Sequence, residues 1–378
     1  MIKNIMDFYR GKRVFVTGHT GFKGSWMTAL LLMAGAKVTG YALKPPTDPS
    51  LFKLLGLDKL SEGGEGSEYP GELTNIYADI RDLNGLKDAF SKAQPQIVIH
   101  MAAQPLVRAS YEDPVGTYET NVIGTVNLLE CCRLTDSVKS IINVTTDKVY
   151  RNKERAEGYR EEEELCGYDP YSNSKSCSEL VTDSYRNSFL SEKGVPVTTL
   201  RAGNVIGGGD FAKDRIVPDC VRAAMAGEDI ILRNPDSTRP YQHVLEPVVC
   251  YLSVAASQYN DLGVEGCYNV GPDDVDAVST AKIATMFCTC WNNSRTDATE
   301  SSKQLTWVNR STGGPHEAGF LKLDCTKIKE TLGWSPVWNI ERAMEELVKW
   351  YRVYAQGEDI TSITKEQITT YLQEYRYN

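Results

Sequence analysis

The feature that most constrains the fold is the regular alternation of short apolar segments with helical patterns in the first half of the chain. Segments typical of buried strands are "RVFVTG", "KVTGYAL", "TNIYADI", "QIVIHMAA" and "SIINVTT", and segments of helical period such as "SWMTALLLMAGA" and "LNGLKDAFSKA" lie between them. This series predicts an α/β fold with a doubly wound parallel (Rossmann) sheet. Ligands of such sheets bind beyond the carboxyl ends of the strands, so a site is expected there.

The second half of the chain has a looser pattern. After residue 204 it becomes rich in glycine and polar residues, as in "VIGGGDFAKDR". We predict that residues 1–203, together with about 243–271, form a dinucleotide-binding domain. Residues 204–242 and 272–378 are predicted to form a smaller mixed α/β substrate lobe. The segment "DPVGTYETNVIGTVNLLECCRL" in the first half predicts one long helix.

Composition narrows the class of protein. The formal net charge of −9, with both signs mixed along the chain, argues against nucleic acid or an anionic membrane as the main partner. The start, "MIKNIMDFYRGKRVFV", is charged and lacks the apolar centre of a signal peptide, so we expect a soluble cytoplasmic protein. Of ten cysteines only Cys288 and Cys290 have C-x-C spacing and no second such pair follows, which predicts reduced thiols and no metal site.

A glycine-rich segment, "GHTGFKG", follows the first predicted strand. Gly18, Gly21 and Gly24 there permit a tight turn, close approach of a pyrophosphate and close helix packing, which predicts dinucleotide binding. An acidic residue about 20 positions further on would hold the ribose hydroxyls of NAD. This region offers Lys44 and no carboxylate before Asp48, so the residues leave NAD and NADP both open.

Tyr171 and Lys175 are spaced i, i+4 on a helix that is predicted to begin near "DPY", so they share one face. Lys175 can reach a nicotinamide ribose and lower the pKa of Tyr171. A tyrosine so activated takes the proton of an alcohol while hydride leaves its carbon. The spacing is common by chance, but its position after a nucleotide-binding half favours a catalytic role.

The end of the strand "SIINV" carries three polar side chains. A hydroxyl, a carboxylate and an ammonium lie at this strand end, from Thr146, Asp147 and Lys148. The strand end is either a solvated terminus or part of an active site. Further polar or glycine-rich clusters end the neighbouring strands in "TGHTGFKG", "ADIRD" and "HMAAQ". These clusters are expected to meet at the edge of the sheet where the strands end, which favours an active site there.

Arginines concentrate in the predicted substrate lobe. Guanidinium groups bind phosphates through paired N–H donors, so these arginines indicate a pyrophosphate ligand, with surface salt bridges as the alternative for any one of them. The polar residues concerned are Arg201, Asn204, Asp214, Arg215, Arg233, Arg239 and His243. His243 is more typical of a packed structural residue than of a catalyst.

Seven segments together resemble the extended short-chain dehydrogenases/reductases, and within them the CDP-glucose branch of the sugar-nucleotide 4,6-dehydratases. They are "VTGHTGFKGSW", "HMAAQPLVRASY", "TNVIGT", "TTDKVY", "YDPYSNSK", "RAGNVIGGGD" and "RPYQHVLEP". The resemblance runs from about residue 8 to about 350 and leaves out the final "DITSITKEQITTYLQEYRYN". It implies NAD as cofactor, a nucleotide-sugar substrate, deoxysugar biosynthesis such as that of O-antigen, and a homodimer or dimer of dimers.

The resemblance, added to the patterns above, implies three sets of site residues. The catalytic set is Thr146, Asp147, Lys148, Tyr171 and Lys175. The cofactor set is Gly18, Thr20, Gly21, Phe22, Gly24, Asp79, Ile80, Ala102, Ala103, Gln104, Asn121, Tyr171 and Lys175. The substrate set is Arg108, Ser110, Asn204, Arg215, Val217, Arg233, Arg239 and His243.

The implied reaction is an internal redox cycle. Tyr171 deprotonates the sugar 4-hydroxyl while hydride moves from C4 to NAD⁺, water is lost across C5 and C6, and hydride returns to C6. Thr146 holds the 4-hydroxyl and Asp147 protonates the departing 6-hydroxyl. Related dehydratases of dTDP- or GDP-sugars have Asp-Glu in place of Asp147-Lys148, and their glutamate is the base at C5.

Two roles stay open for Lys148. A lysine acts as base only where burial or nearby cations lower its pKa. If Lys148 instead pairs with Asp147, it orients that carboxylate and favours its ionised form, which works against an acid. Other functions of the same scaffold also stay open: a 4-epimerase, a reductase or a non-catalytic nucleotide-binding regulator.

Overall fold

The computed structural model describes residues 4–60, 68–260, 262–294, 304–310 and 320–377. The strands are β1 (Arg13–Thr17), β2 (Lys37–Ala42), β3 (Glu72–Tyr77), β4 (Ile97–His100), β5 (Ser140–Val144), β6 (Val197–Ala202), β7 (Asn204–Ile206), β8 (Ile230–Leu232), β9 (Thr238–His243), β10 (Gly266–Val270), β11 (Ala277–Ser279) and β12 (Trp307–Asn309). The helices are α1 (Ile5–Tyr9), α2 (Phe22–Met33), α3 (Leu51–Leu54), α4 (Leu57–Leu60), α5 (Leu83–Ala93), α6 (Val107–Glu112), α7 (Pro114–Tyr118), α8 (Gly124–Leu134), α9 (Pro170–Tyr185), α10 (Ile216–Ala226), α11 (Leu245–Asn260), α12 (Thr280–Asn293), α13 (Thr326–Leu332), α14 (Ile340–Ala355) and α15 (Ile360–Tyr377).

A seven-stranded parallel sheet in the order β10-β6-β5-β4-β1-β2-β3 forms the centre of the molecule. The strands β4, β5 and β6 are buried along their whole length, which explains why their apolar runs are continuous rather than alternating. Thr17 pairs with His100, and His100 with Asn143, so the carboxyl ends of β1, β4 and β5 lie side by side. The predicted doubly wound parallel sheet is confirmed.

Helices cover both faces of this sheet. On one face α2 and α11 pack together and contribute the buried side chains Trp26 and Val248. On the other face α5 and α8 bury Phe90 and Leu128. Helix α15, from the C-terminal segment without a recognised motif, packs against α2 and buries Tyr371 in the first core.

Two smaller sheets lie in the later part of the chain. The first has the order β11-β9-β7, and the second pairs β12 with β8. Helix α12 packs against α10 and α14, and α14 also contacts β9. A mixed α/β arrangement after residue 204 agrees with the looser pattern there, whereas the exact division into two lobes stays a prediction.

The segment predicted as one long helix is two helices joined by a wider π-helical stretch. Helix α7 leads into the π stretch Glu119–Ile123, which continues into α8. Apolar periodicity does not detect one extra residue in a turn, so the sequence indicated a single helix. Such π stretches are frequent at functional sites, and this one contains Asn121. Within the described ranges, no helix has the length and apolar character needed to span a membrane.

Candidate active site

The glycine-rich segment forms the turn between β1 and α2. Gly18 has φ +74°, and a Cβ atom there would lie 2.8 Å from the Ala102 backbone nitrogen. A Cβ atom at Gly24 would collide with the carbonyl oxygen of Gly18, so these two glycines are required by the turn itself.

Gly21 differs from these two glycines. A Cβ atom at Gly21 would meet only the Gly18 carbonyl oxygen, at an ordinary 3.5 Å, so the protein's own packing does not require a glycine. Gly21 is also the N-cap of α2 and provides no side-chain cap for the first turn. An uncapped helix N-terminus behind an open glycine fits the pyrophosphate of a dinucleotide.

The neighbouring strand ends are tied to this turn. The backbone nitrogen of Ala102, just after β4, donates to the Thr17 hydroxyl at 3.1 Å. Ala103 and Gln104 follow, and the Asn121 side chain accepts from the Gln104 backbone nitrogen at 2.8 Å. Asn121 also donates to Ser174 on α9 at 2.8 Å and is fully buried. The π stretch thus fixes the loop after β4 against the helix that carries Tyr171.

Four other predicted cofactor residues have defined partners. Thr20 donates to the Leu43 carbonyl at 2.8 Å, and Phe22 packs against the core at the start of α2. Asp79 is ion-paired with Arg81 at 2.7 Å, and hydrogen bonds from Arg81 lower the pKa of Asp79. Ile80 is buried against Gly124, where a Cβ atom would lie 2.7 Å from its side chain.

The polar residues after β5 form one hydrogen-bonded group. Thr146 caps a short 3₁₀ turn, and its hydroxyl donates to Asp147 Oδ1 at 2.9 Å. Lys148 Nζ lies 3.1 Å from the same Oδ1 and donates to Asn204 Oδ1 at 3.3 Å. The Asp147 side chain is fully buried, and that of Lys148 is 27% exposed. This strand end is therefore a largely buried group of a hydroxyl, a carboxylate and an ammonium and not a solvated terminus.

Tyr171 and Lys175 lie on α9 beside this group. Helix α9 begins at Pro170 because Asp169 caps it, accepting from the Ser172 backbone nitrogen at 2.9 Å. The side chains of Tyr171 and Thr146 are hydrogen-bonded, and Lys175 Nζ donates to the Val144 carbonyl at 3.1 Å.

Burial governs the protonation of this pair. It raises the pKa of Tyr171 to about 12, against the opposing effect of the Thr146 hydrogen bond, and lowers the pKa of Lys175 to about 8. Glu179, one turn further along α9, opposes the shift of Lys175. The expected lowering of the Tyr171 pKa is therefore wrong for this structure, because desolvation outweighs the Thr146 hydrogen bond and the positive charge of Arg215.

Some of the predicted arginines cluster around acidic residues. Arg108 and Arg233 both contact Asp214 Oδ1, at 3.6 and 2.8 Å. Arg215, the residue before α10, pairs with Asp210 at 3.0 Å, and its positive charge acts to lower the pKa of Tyr171. These arginines are about one-third exposed, so they remain accessible to an anionic ligand.

Other predicted phosphate or substrate residues are structural. Arg201 is buried in an ion pair with Glu179 at 2.9 Å and also donates to the Tyr150 hydroxyl at 2.9 Å, so the suggestion that it binds phosphate is wrong. His243 is fully buried between Trp26 and Trp338, which leaves no surface for a substrate. Its assignment to substrate binding is corrected, and the structural alternative for this residue holds.

Three more members of the substrate set offer little side-chain surface. Ser110 is fully buried and donates to the Val107 carbonyl at 2.6 Å. Val217 is 2% exposed, and Arg239, on β9, is 7% exposed and donates to the Thr238 carbonyl at 2.9 Å. Direct contact of these side chains with a ligand requires a rearrangement, and their substrate roles stay predictions.

Sequence reasoning missed Lys23, in the first turn of α2. Its Nζ lies 3.4 Å from the Tyr251 hydroxyl, and its charge reaches Asp147, Lys175 and Arg215. The available signal was a lysine inside the glycine motif, between Gly21 and Gly24. No group of His, Cys, Asp or Glu suited to a metal occurs among the residues that the structure describes.

The chain is similar to known proteins in both sequence and structure. A family model described as GDP-mannose 4,6 dehydratase matches residues 15–347. The chain is 46% identical over 373 residues to the CDP-glucose 4,6-dehydratase of Salmonella typhimurium, with 97% of this chain and 98% of that protein covered.

Two solved structures share the fold. The dTDP-glucose 4,6-dehydratase of Bacillus anthracis in complex with NAD has a TM-score of 0.72 at 20% identity, and the alignment covers 92% of this chain and 99% of that one. The UDP-glucose 4-epimerase of Thermotoga maritima with UDP-glucose has a TM-score of 0.70 at 23% identity, with coverage of 90% and 99%. At these identities the likeness supports the fold alone.

Proposed function

The chain belongs to the family described as GDP-mannose 4,6 dehydratase, within the extended short-chain dehydrogenases/reductases, and on this premise we propose that it converts CDP-D-glucose into CDP-4-keto-6-deoxy-D-glucose. It is an NAD-dependent hydro-lyase. The similarity to the Salmonella typhimurium enzyme over nearly the whole of both chains supports the substrate. The Asp147–Lys148 pair, which replaces the Asp-Glu of the dTDP- and GDP-sugar enzymes, supports it as well.

One observation carries the proposal. Thr146, Asp147 and Lys148 form a buried hydrogen-bonded group, and Thr146 joins it to the Tyr171 hydroxyl. Oxidation at C4 needs Tyr171 and Lys175, but the loss of water needs an additional acid and base close to the same sugar. The group after β5 supplies both.

The cofactor residues fit NAD at the turn after β1. Gly21 and the uncapped first turn of α2 are suited to the pyrophosphate, and Lys175 is suited to the nicotinamide ribose. When bound, NAD accepts a hydride from C4 of the sugar and returns it to C6, and its positive nicotinamide favours ionised Tyr171.

The protein groups then act in order. Tyr171 takes the proton of the 4-hydroxyl, which Thr146 holds in place. The 4-ketone acidifies C5, a base removes the C5 proton, and Asp147 gives a proton to the departing 6-hydroxyl. The base gives its proton back to C5 when C6 is reduced. Lys148 is either that base or the cation that orients Asp147, since its ammonium contacts both Asp147 and Asn204.

The proposal includes a homodimer or dimer of dimers that associates through the helical segments at about 114–135 and 171–190. These segments expose large apolar side chains, among them Ile123, Leu180 and Phe189, at 50%, 58% and 42%. Light scattering on the wild-type protein and on Leu180→Glu tests this part, and a wild-type monomer contradicts it. The cytoplasmic location, expected from the start of the sequence, and the link to O-antigen biosynthesis, implied by the resemblance, stay predictions.

The function is tested by mass spectrometry after incubation with NAD⁺ and, separately, with CDP-, dTDP-, UDP-, GDP- and ADP-linked hexoses. Loss of one water from CDP-glucose alone is the expected result. Loss of water from another nucleotide sugar only would keep the reaction and overturn the substrate.

A 4-epimerase is the second candidate, because a 4-epimerase shares the fold. Sugar-nucleotide 4-epimerases also use a Tyr–Lys pair. They need no acid–base pair after the threonine, so the buried group at 146–148 favours dehydration. Epimerisation leaves the mass unchanged, and chromatographic separation of CDP-glucose from CDP-galactose would reveal it.

A further inference from the structure

A row of buried polar side chains lies beneath the active site and takes no part in the reaction above. Thr17, His100 and Asn143 pair in register across β1, β4 and β5, and each is at most 1% exposed. The same face of the sheet is covered by Thr125 of α8 and Ser178 of α9, which bond to this row. Buried polar groups are destabilising unless each is hydrogen-bonded, so the partners of the row show what it holds.

The hydrogen bonds of Thr17 fix the tautomer of His100. The Thr17 hydroxyl accepts from the backbone nitrogens of Met101 and Ala102, both at 3.1 Å. It also lies 2.7 Å from His100 Nδ1. A hydroxyl has one proton to donate, and Nδ1 is the only acceptor among its partners in the described chain. The Thr17 hydroxyl therefore donates to Nδ1, and the ring proton of His100 lies on Nε2.

The other side of the imidazole continues this chain toward the π stretch. His100 Nε2 donates to the Thr125 hydroxyl at 3.2 Å, and Thr125 donates to the Asn121 carbonyl at 2.7 Å. Burial, with a smaller contribution from the positive charge of Lys175, lowers the pKa of His100 to about 3. The imidazole is therefore neutral at physiological pH, and it accepts from β1 while it donates to α8.

These two chains lead to the two ends of the loop 101–104, which follows β4. At its start, Thr17 accepts from the Ala102 nitrogen. At its end, the Asn121 side chain accepts from the Gln104 nitrogen at 2.8 Å and donates to the Gln104 carbonyl at 3.1 Å. The loop lies against the glycine-rich turn, because a Cβ atom at Gly18 would be 2.8 Å from the Ala102 nitrogen. One imidazole thus connects both attachments of the loop that faces the cofactor turn.

We propose that His100 is a positioning residue for NAD, which holds the loop 101–104 in place by joining Thr17 to Thr125. The inference rests on the cofactor site proposed above. Since the His100 side chain is 1% exposed, it acts through the loop and not by contact with the cofactor. A loop held at both ends loses less conformational entropy when NAD binds, so the imidazole raises the affinity for NAD.

The test separates the two hydrogen bonds of the imidazole. His100→Asn puts an amide oxygen near the place of Nδ1 and keeps the bond to Thr17. His100→Gln puts an amide near the place of Nε2 and keeps the bond to Thr125, and His100→Leu keeps neither. The matched control is Thr182→Val, which removes a fully buried hydroxyl that accepts from Asn143 at 2.8 Å but is not bonded to the loop.

The Kd for NAD⁺ is measured by fluorescence titration of protein freed of bound nucleotide, and the unfolding free energy by denaturant titration. A neutral hydrogen bond changes an equilibrium constant by about 5-fold. We therefore expect the Kd to rise by about 5-fold in His100→Asn and in His100→Gln, and by about 25-fold in His100→Leu. Thr182→Val lowers the unfolding free energy and keeps the Kd of the wild type. With saturating NAD⁺, the His100 variants keep the kcat and the KM for CDP-glucose.

The tautomer gives a readout that a loss of stability alone does not move. The chain has four histidines, so labelling with ¹⁵N-histidine gives few signals. The signal that disappears in His100→Asn belongs to His100, and at pH 7 it is expected to show a neutral ring with its proton on Nε2. A proton on Nδ1 would overturn the inference, because the Thr17 hydroxyl would then lack an acceptor.

The affinities give further outcomes that overturn the inference. A lower unfolding free energy of the His100 variants with an unchanged Kd assigns them a structural role only. An equal rise of the Kd in Thr182→Val and His100→Leu assigns the effect to general loosening of the core. If His100→Leu does not fold, the Asn and Gln variants decide in the same way. If the wild type binds NAD⁺ but releases no water from any nucleotide sugar, the proposed function fails, and the Kd values still decide this inference.

Discussion

Replacement of Lys148 by alanine separates the chemistry at C5 from the oxidation at C4. The substitution removes an ammonium that lies 3.1 Å from Asp147 Oδ1 and 3.3 Å from Asn204 Oδ1. Tyr171, Lys175 and their hydrogen bonds to Thr146 and the Val144 carbonyl are untouched. Oxidation at C4 is therefore expected to survive, and the defect should fall on the removal of the C5 proton.

The magnitude follows from the two roles that the contacts allow. Loss of a general base lowers kcat by about 10²–10⁴-fold, which is about 3–5 kcal/mol on the barrier. Loss of an orienting cation leaves the fully buried Asp147 carboxylate with the Thr146 hydroxyl as its remaining hydrogen bond in the described structure. Both roles predict a large fall in kcat with a small change in KM, since the contact is to the reacting part of the sugar.

The assay is deuterium wash-in at C5 during turnover of CDP-glucose in D₂O, read by mass spectrometry and NMR. Lys148→Glu restores the Asp-Glu pair of the related enzymes and keeps wash-in if the residue is a base. Lys148→Arg keeps the cation and retains activity if the residue orients Asp147. Full wash-in together with full turnover of Lys148→Ala would refute both roles.

Three further predictions concern the cofactor turn and two buried carboxylates. Gly21→Ala is expected to fold normally, because its Cβ atom fits, but to lose affinity for NAD in a fluorescence titration. Gly18→Ala is expected instead to lower the unfolding temperature, because Gly18 has a φ of +74°. Equal NAD affinity of Gly21→Ala and the wild type would contradict this prediction. Arg201→Met leaves Glu179 buried without its cation and is expected to lower the unfolding free energy by about 3–5 kcal/mol in a denaturant titration. The double replacement Arg201→Met/Glu179→Met is expected to lower it by less. A single variant as stable as the wild type would contradict this prediction. Burial raises the pKa of Glu246 to about 7, so the native state binds the Glu246 proton more tightly than the unfolded chain does. The stability of the wild type relative to Glu246→Gln is therefore expected to fall by about 3 kcal/mol as pH rises from about 4.5 to above 7. Parallel curves of stability against pH for the two proteins would show the reasoning to be wrong.

The protonation of the site shows where local patterns stop being informative. The i, i+4 spacing placed Tyr171 and Lys175 on one helix face, and α9 does present them together. The predicted direction of the Tyr171 pKa shift was wrong, because that direction depends on how many neighbouring groups exclude water from the hydroxyl. Burial is the sum of contacts from several distant segments, and the spacing of two residues carries no information about it.

The order of elements could be read from the sequence because it depends on local chemistry. Apolar runs of strand length, helical periodicity and glycines at a tight turn are properties of a few neighbouring residues, and they predicted the parallel sheet, the turn after β1 and the polar end of β5. The motif "TTDKVY" likewise indicated a site, since the carboxyl ends of parallel strands meet at one edge.

Tertiary structure alone decided which of the similar residues work together. Arg201 and Arg215 look alike in the sequence, yet one is buried beside Glu179 and the other stays partly exposed near Tyr171. Lys23 meets Tyr251 across more than two hundred residues of chain. Such contacts arise when segments distant in sequence pack against one sheet, so their partners and their solvent exposure are set by the folded chain as a whole.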